Sequence, residues 1–417
     1  MSEKIKIFTI SDHPLSPSGV GTQTKYMIEG MLKTGKYQFL SFGGAMKHED
    51  HQPQKTDQWG DDWVIWPVDG YGNPDMVRGM IHQNKPDILW FMTDPRFYGW
   101  LWNVENEIRP YLPMVYYHVW DNYPYPSFNR PWYLSNDHVA CISKLTHDIV
   151  QTVAPEVESS YLPHAVNPDI FKPLPQETVA TFRKEKGFDG KFVCFWNNRN
   201  ARRKQSGTLI WWFKEFLDKV GQDKAVLIMH TDEKDIHGQD LEEIILELGL
   251  VNGEVLFSQA KINAPDLAMV YNAADVTINI SDAEGFGLAT LESMSSGTPI
   301  IVNKTGGMQD QITDGETVFG VGIEPCSKAV IGSQQVPYIY EDRISKEDFV
   351  DALVKMYEMS ESDRKELGAQ ARQWSLDGFG FDTMIEKWDE VLTGVYEKYG
   401  SWDTRQNYKS YRFGEIK

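Results

Sequence analysis

Short apolar runs alternate along the chain with longer segments that have the amphipathic character of helices. The runs predicted as strands include Ile5–Ile10, Lys191–Phe195, Ala225–Met229, Val276–Ile280 and Ile300–Val302. The segments predicted as helices include Thr22–Leu32, Thr208–Val220, Leu288–Met294 and Phe381–Tyr399. A strand followed by a helix, repeated many times, favours parallel sheets with helices on both faces. The sequence therefore predicts an α/β fold.

The chain is too long for one hydrophobic core, because it has 417 residues. The boundary is predicted in the proline-bearing stretch Pro163–Pro175. We expect an N-terminal Rossmann-like domain at residues 1–170 and a second Rossmann-like domain at residues 171–383. A C-terminal helix and tail would then occupy residues 384–417.

A glycine-rich turn follows the predicted strand Val276–Ile280 and leads into a short helix. Its residues are Glu284, Gly285, Phe286, Gly287 and Leu288, and a second carboxylate, Glu292, lies eight positions after the first. Glycines allow close approach of the backbone to a ligand, and a helix N-terminus attracts anions. Carboxylates are poor phosphate ligands but good acceptors for sugar hydroxyls. The turn therefore indicates a ligand with both parts, such as a nucleotide sugar.

This E-x7-E pattern with GFG between the acids resembles the donor-site motif of retaining GT-B glycosyltransferases of the GT4-like family (glycosyl transferases group 1). The resemblance implies a GT-B fold, in which two Rossmann-like domains have parallel sheets that face each other across a cleft. It also implies that the second domain holds the nucleotide sugar, that the first shapes the acceptor pocket, and that the last helix crosses back to the first domain.

A basic loop after the predicted strand Lys191–Phe195 agrees with this resemblance. The family places an arginine and a lysine here, five residues apart, on the donor diphosphate, and Arg199 and Lys204 have that spacing. A departing diphosphate requires fixed positive charge. A solvated basic surface loop is the alternative interpretation.

Two segments of the N-terminal half resemble the family more loosely. Gly19 and Gly21 stand in a loop between the first predicted strand and helix, where the family has a glycine-rich loop facing the donor phosphate. His118, with Asp121 behind it, ends an aromatic strand at a position where many relatives place a histidine near the donor sugar. A buried core histidine is the alternative for His118. His13, His164 and His230 are weaker candidates.

The resemblance also implies the role of each candidate. Arg199 and Lys204 would bind the diphosphate, and Glu284 would bind the sugar hydroxyls together with the backbone of Gly285, Phe286, Gly287 and Leu288. Glu292 would bind the ribose of the nucleotide, and His118 would orient the transferred sugar. The expected enzyme is a metal-independent hexosyl- or pentosyltransferase that retains the anomeric configuration and uses no cofactor besides its nucleotide-diphosphate sugar.

Composition and sequence pattern limit the binding partners, the cellular location and the metal ligands that we expect. The net charge of −19 disfavours binding to polyanions or to an anionic membrane. No apolar run reaches the roughly 20 residues of a membrane span, and no signal peptide is visible, so we expect no integral membrane association. Three isolated cysteines suit a reducing cytoplasm. Metal-ligand spacings and a D-x-D motif are absent from the sequence, so no metal site is predicted.

The acceptor is not specified by the sequence and could be a glycan, a small molecule or a modified DNA base. A proline-rich loop carries aromatic residues that could stack on a sugar or a base, and its weak acceptor candidates are Asp121, Tyr123, Tyr125 and Trp132.

Two alternatives to a conventional sugar transferase remain open. Some bacteriophage enzymes of this broad family glycosylate hydroxymethylated bases in DNA, and the segment 402–417 is basic and aromatic, as a nucleic-acid contact would be. Packing of this tail on the N-terminal domain would explain the same residues. The second alternative is a non-catalytic GT-B protein that binds a sugar or a partner.

Overall fold

The computed structural model describes residues 4–258 and 262–409. The chain forms two compact units. Unit 1 comprises the residues up to His164 together with those from Asp382 onward, and unit 2 comprises Ala165–Phe381. The sequence had suggested divisions after residues 170 and 383.

Unit 1 contains one extended sheet. Within the described residues its strands are β1 (Ile5–Asp12), β2 (Tyr37–Met46), β3 (Gln54–Lys55), β4 (Trp63–Asp69), β5 (Ile88–Thr93), β6 (Met114–His118), β7 (His138–Cys141) and β8 (Glu158–Tyr161). They lie in the order β3-β4-β2-β1-β5-β6-β7-β8, and every pair is parallel except the short edge pair of β3 and β4.

The helices of unit 1 connect these strands, and one comes from the far end of the chain. They are α1 (Gly19–Lys33), α2 (Pro74–Asn84), α3 (Gly99–Trp102), α4 (Glu105–Ile108), α5 (Arg130–Leu134), α6 (Lys144–Val153) and the last helix, α15 (Phe381–Tyr399). Trp388 of α15 is fully buried, and its ring lies 4.8 Å from that of Tyr117 in β6. The Tyr37 hydroxyl of β2 donates to Asp389 of α15 at 2.6 Å. The last helix is therefore part of the core of unit 1.

Unit 2 is built on a second parallel sheet. Its strands are β9 (Phe192–Asn197), β10 (Ala225–His230), β11 (Val255–Ser258), β12 (Val276–Asn279), β13 (Ile300–Asn303) and β14 (Val321–Ile323). The order is β11-β10-β9-β12-β13-β14, so the chain moves outward from β9 in one direction and then resumes on its other side with β12. In such a sheet the reversal opens a crevice at the carboxyl ends of the two central strands, which is where ligands bind.

Helices cover both faces of the second sheet, and a hairpin extends from it. The helices are α7 (Gln176–Glu185), α8 (Ser206–Val220), α9 (Leu241–Glu247), α10 (Ala264–Ala273), α11 (Leu288–Ser295), α12 (Met308–Ile312), α13 (Lys346–Glu358) and α14 (Glu361–Gly378). The hairpin strands are β15 (Ser327–Ile331) and β16 (Ile339–Arg343), which pair antiparallel. The core between the sheet, α8 and α13 is formed by aromatic and aliphatic side chains, among them Phe213 and Phe349.

Candidate active site

The loops after β9 and β12 carry the predicted donor residues. Arg199 and Lys204 follow β9, and the segment from Glu284 to Leu288 follows β12. Because β9 and β12 are the two central strands at which the strand order reverses, their loops flank the crevice of unit 2. The fold thus brings two segments that are 80 residues apart in sequence to one edge of the sheet.

Lys204 and Glu284 form an ion pair at the centre of this edge. The Lys204 side chain is 9% exposed and that of Glu284 is 13% exposed. A second cation is close, since Arg203 Nη1 lies 3.9 Å from Glu284 Oε2 and donates to the backbone carbonyl of Ala283 at 2.5 Å. Two cations and one carboxylate therefore share a partly enclosed site.

The charge state of Glu284 follows from these neighbours. Burial by itself raises the pKa of a carboxyl, but the positive charges of Lys204 and Arg203 outweigh it and lower the pKa of Glu284 below its ordinary value. Glu284 is therefore an ionised acceptor, and Lys204 is a charged donor beside it. An anion and a set of hydroxyl groups would each find a complementary partner here.

Three glycines allow the loops to pack this tightly. Gly287 caps α11 in a left-handed conformation (φ +90°), so that the helix begins directly after the glycine-rich turn. Gly306 and Gly307, after β13, pack on the same turn: the Gly307 N–H donates to the Glu284 carbonyl at 3.0 Å. A Cβ at Gly306 would lie 1.7 Å from that carbonyl oxygen. The backbone position of Glu284 therefore depends on the absence of a side chain at Gly306.

Glu292 lies one turn further along α11 and joins a different polar cluster. The Tyr271 hydroxyl donates to Glu292 Oε2 at 2.7 Å, and the Asn197 amide donates to the Tyr271 hydroxyl at 2.9 Å and to Glu292 Oε2 at 3.5 Å. Burial raises the pKa of Glu292 to about 7, although the hydrogen bonds from Tyr271 and Asn197 oppose the shift. Its protonation therefore changes near neutral pH.

Arg199 is placed in the same loop as Lys204 but has another partner. Its guanidinium binds both carboxylate oxygens of Asp235, at 2.5 and 3.1 Å, and its side chain is 60% exposed. The role of Arg199 at a diphosphate stays a prediction, in which the guanidinium would contact the ligand while Asp235 orients it.

Among the other residues of the glycine-rich turn, Phe286 contributes a buried side chain, whereas Gly285 and Leu288 contribute backbone groups. The Phe286 ring is buried against Phe379, at a centroid distance of 5.9 Å, and its carbonyl accepts from Gln311 at 2.7 Å. Gly285 packs against Gly307, so that a Cβ on Gly307 would lie 2.6 Å from the Gly285 carbonyl oxygen. Leu288 is the first residue of α11, so its N–H is among those that a helix leaves without an intrahelical partner. Phe286 thus anchors the turn, while the backbone faces of the turn remain suited to an anion.

Several contributors were not predicted from the sequence. Tyr271 and Asp235 reach the site through the fold. Asn197 and Arg203 lie in the predicted basic segment itself, but no role had been predicted for them. Gly306-Gly307 could have been found, because it follows the apolar run Ile300–Val302 and so repeats the order of strand, glycines and helix seen at Glu284–Leu288. Tyr271 carries no such signal, since it lies within the helix α10 and belongs to no recognisable motif.

His118 lies in the core of unit 1. It is fully buried, its Nε2 is 2.9 Å from the Tyr133 hydroxyl, and its Nδ1 is 3.2 Å from that of Tyr116. Burial lowers the pKa of His118 to about 3, so the ring is neutral. His164 is similarly buried, with Nδ1 2.7 Å from the Tyr117 hydroxyl. A sugar hydroxyl could bind His118 only in place of a tyrosine, and the role of His118 stays a prediction.

The first loop of unit 1 is held by close backbone packing. Gly19 is exposed and begins α1, whereas Gly21 is buried and donates its N–H to the Ser18 hydroxyl at 3.0 Å. A Cβ at Gly21 would come within 2.6 Å of the His13 carbonyl. Asp12, at the end of β1, accepts from the hydroxyls of Ser18 (2.6 Å) and Tyr71 (2.8 Å).

The aromatic loop of unit 1 has both solvent-exposed and packed members. The hydroxyls of Tyr123 and Tyr125 both donate to Asp148, at 3.0 and 3.1 Å, and the Tyr125 side chain is exposed. Trp132 stacks on Trp102 at a centroid distance of 5.4 Å. Asp121 is half-buried and has an interaction partner. Tyr125 is therefore the member of this loop most accessible to a ligand.

The described part of the C-terminal tail packs on its own unit. Trp402 Nε1 donates to the Pro86 carbonyl at 2.9 Å, and Arg405 binds Asp137 at 3.0 Å with a side chain that is 4% exposed. Tyr408 lies under the guanidinium of Arg405 at 5.5 Å. These residues already have protein partners. The remaining basic and aromatic positions of the tail, Tyr411, Arg412, Phe413 and Lys417, lie outside the described residues.

Two features are absent from residues 4–258 and 262–409. Neither range contains a cluster of three or more His, Cys, Asp or Glu side chains able to hold a metal ion. The same ranges contain no helix that is both long and apolar enough to cross a membrane.

The fold places the chain in a recognised class of proteins. Sucrose-phosphate synthase from Thermosynechococcus elongatus superposes with a TM-score of 0.75 at 15% identity, over 95% of this chain and 100% of that structure. HepE from Anabaena, in complex with UDP and glucose, superposes with a TM-score of 0.70 at 15% identity, over 94% of this chain and 100% of that structure. The two units with their parallel sheets thus form a GT-B fold, as the sequence predicted.

The sequence comparisons identify a family domain within unit 2. Residues 180–374 match the family described as "Glycosyl transferases group 1", and this range includes all the donor candidates of unit 2. Residues 180–374 therefore form a glycosyl transferases group 1 domain, which confirms the resemblance seen in the motifs.

Curated relatives match over shorter stretches. D-inositol 3-phosphate glycosyltransferase from Arthrobacter sp. is 32% identical over 109 residues, which cover 26% of this chain and 25% of that protein. Alpha-monoglucosyldiacylglycerol synthase from Streptococcus pneumoniae is 28% identical over 271 residues, which cover 63% of this chain and 57% of that protein. The chain thus spans between a quarter and somewhat more than half of these relatives.

Proposed function

We propose that this protein is a glycosyltransferase that moves a sugar from a nucleotide-diphosphate sugar to an acceptor hydroxyl, with retention at the anomeric carbon and without a metal ion. The observation that carries the proposal is the site formed by Lys204, Arg203 and Glu284 at the carboxyl ends of β9 and β12. It offers cations to a diphosphate and an ionised acceptor to sugar hydroxyls within one crevice.

The nucleotide part of the donor would lie along α11. Glu292 would accept hydrogen bonds from the ribose hydroxyls, and Tyr271 and Asn197 orient its carboxylate. The diphosphate would meet the N-terminus of α11 and the side chains of Lys204 and Arg199. Glu284 would then accept from the hydroxyls of the transferred sugar. The matched HepE structure contains UDP and glucose, which supports a donor of this class.

In the proposed reaction, the bond between the anomeric carbon and the phosphate oxygen breaks while the acceptor oxygen bonds to the same face of the sugar. The acceptor proton moves to the departing phosphate. The protein contributes position and fixed charge, and Lys204 stabilises the negative charge that develops on the diphosphate.

The structure gives the two alternative functions less support. For a DNA base as acceptor, the proposed contact in the tail is weakened because Trp402 and Arg405 are engaged within unit 1. The names of the relatives above refer to inositol phosphate and diacylglycerol rather than to DNA. A non-catalytic binding protein would have no need of the charges at Lys204 and Glu284, which the fold brings together. We therefore favour transfer to a glycan or a small molecule over transfer to a DNA base.

Thermal unfolding with a panel of UDP-, GDP-, ADP- and CMP-linked sugars tests the donor site. A ligand at a hundredfold its Kd adds about 2.7 kcal/mol, which raises the melting temperature by several degrees. The CMP-linked sugar carries one phosphate and serves as a control for diphosphate recognition. We expect one diphosphate class to stabilise the protein, Glu284→Gln to lose the part that depends on the sugar, and Glu247→Gln, on the exposed face of α9, to behave as wild type.

Turnover and stereochemistry follow from the donor found in this way. Incubation with that donor and candidate acceptors should release the nucleoside diphosphate, and NMR of the product should show the anomeric configuration of the donor. Inversion of the anomeric configuration would contradict the retaining mechanism but not the transferase activity. No stabilisation by any nucleotide sugar would contradict the proposed activity and favour the non-catalytic alternative.

A further inference from the structure

The hairpin β15–β16 contacts all three loops of the donor site through one short stretch. It is inserted between β14 and α13, and its second strand ends with Glu341, Asp342 and Arg343. These three residues reach the loops that follow β9, β12 and β13. The loops after β9 and β12 carry the donor candidates, and the loop after β13 supports the Glu284 backbone through Gly306 and Gly307. A single segment therefore links the elements that would have to be aligned for catalysis.

The contact with the loop after β9 is a bidentate ion pair. Arg202 Nη1 and Nη2 donate to the two carboxylate oxygens of Glu341, at 2.8 and 2.6 Å. Arg202 begins the 3-10 turn Arg202–Lys204, so it is held two residues before the lysine that pairs with Glu284. Paired hydrogen bonds of this kind fix orientation as well as distance.

The contacts with the other two loops involve Asp342 and Arg343. The Asp342 N–H donates to the Asp282 carbonyl at 2.9 Å, and Arg343 Nε lies 3.6 Å from the Asp282 carboxylate. The Thr305 hydroxyl donates to Asp342 Oδ2 at 2.7 Å, and the Asn303 amide donates to the Asp342 carbonyl at 3.0 Å. Asp282 precedes Glu284 by two residues, and Thr305 directly precedes Gly306.

The end of the hairpin that contacts the loops is more buried than the rest of the hairpin. The Glu341 side chain is 3% exposed, whereas Val330 and Tyr338 are 64% and 46% exposed. A carboxylate buried to this extent requires a partner, because an unpaired buried charge is strongly unfavourable. Arg202 supplies that partner while its own side chain is 54% exposed. Within this ion pair the Glu341 side chain is buried in the hairpin, whereas the Arg202 side chain is largely exposed to solvent.

We propose that Glu341 is a positioning residue for the donor diphosphate: through Arg202 it fixes the turn that presents Lys204 to the site. This inference rests on the proposed function for its ligand, but the contact itself can be tested without one. Glu341 touches neither Lys204 nor Glu284 in the described structure, and its effect passes through Arg202. The turn that Arg202 begins is joined to the loop after β12, because the Asp282 N–H donates to the Arg203 carbonyl at 2.7 Å.

Amide hydrogen exchange tests the positioning without any ligand. Glu341→Gln keeps the shape of the side chain but places an amide against the guanidinium. We expect exchange in the segments 202–205 and 281–287 to accelerate about tenfold while the core strands are unchanged. Glu347→Gln, an exposed glutamate at the start of α13, is the matched control and should leave both segments unchanged. Unaltered exchange in both segments of Glu341→Gln would overturn the proposal.

A second variant distinguishes loss of this ion pair from a general destabilisation of the protein. Arg202→Ala breaks the same ion pair from its exposed side. It should accelerate exchange in the same two segments, and the double variant Arg202→Ala/Glu341→Gln should be no worse than either single variant, because both remove one interaction. Additive effects would show that Glu341 does not act through Arg202 and would overturn the proposed route.

Affinities for two nucleotides then test the effect on the donor site. Calorimetry would measure the nucleoside diphosphate and monophosphate of the base selected by the thermal panel. We expect Glu341→Gln to reduce the preference for the diphosphate about tenfold, whereas a general loss of structure would weaken both ligands equally. An unchanged preference would overturn the diphosphate role. If wild type binds neither nucleotide, the proposed function fails, and the exchange result alone decides whether Glu341 positions the turn.

Discussion

Replacement of Glu292 by glutamine should remove a pH dependence that is built into unit 2. The pKa of Glu292 is raised from 4.5 to about 7, mainly by burial. Between these pH values the folded unit holds a proton that the unfolded chain has released, so stability falls as the pH rises. A shift of about 2.5 units at 1.36 kcal/mol each corresponds to roughly 3 kcal/mol. Glutamine keeps the shape of the protonated acid and does not ionise. The Glu292→Gln variant should therefore not lose stability in this way as the pH rises.

Calorimetric unfolding of both proteins from pH 4.5 to 8 measures the difference. Roughly 3 kcal/mol corresponds to about 6 to 12 °C for a unit of 150–250 residues. We therefore expect wild type and Glu292→Gln to melt together near pH 4.5 and to separate by several degrees at pH 8, with the variant the more stable. Asp282, whose pKa burial raises to about 6, contributes a similar loss to both proteins and cancels in the comparison.

Two further observations decide whether the reasoning is right. Difference infrared spectroscopy should show a protonated-carboxyl band that is lost in Glu292→Gln and titrates near pH 7 in wild type. Glu247→Gln, on the exposed surface of α9, should follow the wild-type curve at every pH. A difference between wild type and Glu292→Gln that stays constant from pH 5 to 8 would refute burial as the control of this carboxyl.

Three other substitutions have defined outcomes. Lys204→Ala should reduce kcat by about 10²–10³, as loss of one preorganised charge does; turnover within threefold of wild type in a donor-consumption assay would remove its assignment. Gly306→Ala should abolish donor binding in calorimetry, because its Cβ would lie 1.7 Å from the Glu284 carbonyl oxygen, whereas Gly315→Ala, also at positive φ but with open space around it, should bind normally. His118→Phe should destabilise unit 1 by about 1–3 kcal/mol through its tyrosine partners and leave donor affinity unchanged; lost turnover at an unchanged melting temperature would instead support its sugar-orienting role.

The parts of the site that lie close together in sequence were predictable. The segment from Val276 to Asn303 contains a strand, a glycine-rich turn, a helix and a second strand in one continuous run, and the structure has these elements there. The five-residue spacing of Arg199 and Lys204, which resembles that of the family, also indicated Lys204, and the turn Arg202–Lys204 lies in the loop after β9. These features depend on backbone geometry over a few residues, which the sequence encodes directly.

The partners of these residues were not predictable, because they depend on the tertiary fold. Tyr271 reaches Glu292 across 21 residues, and Glu341 reaches Arg202 across 139. The pairing of Arg199 with Asp235 has the same origin, since Asp235 lies after the neighbouring strand β10. His118 shows the reverse case: its position at a strand end suggested a place near the donor sugar, whereas in the structure its ring nitrogens lie beside the hydroxyls of Tyr116 and Tyr133.

The discontinuity of unit 1 has a consequence for how the protein is made. Its core includes Trp388 of α15, and Ser401 binds Asp87 at 2.6 Å. During synthesis the sheet of unit 1 leaves the ribosome first but cannot bury this helix until more than 200 further residues, including all of unit 2, have been translated. Unit 2 is continuous and can complete its own core at once. The half of the chain that is synthesised first is therefore the last to mature, and a fragment that ends at His164 is not a complete folding unit.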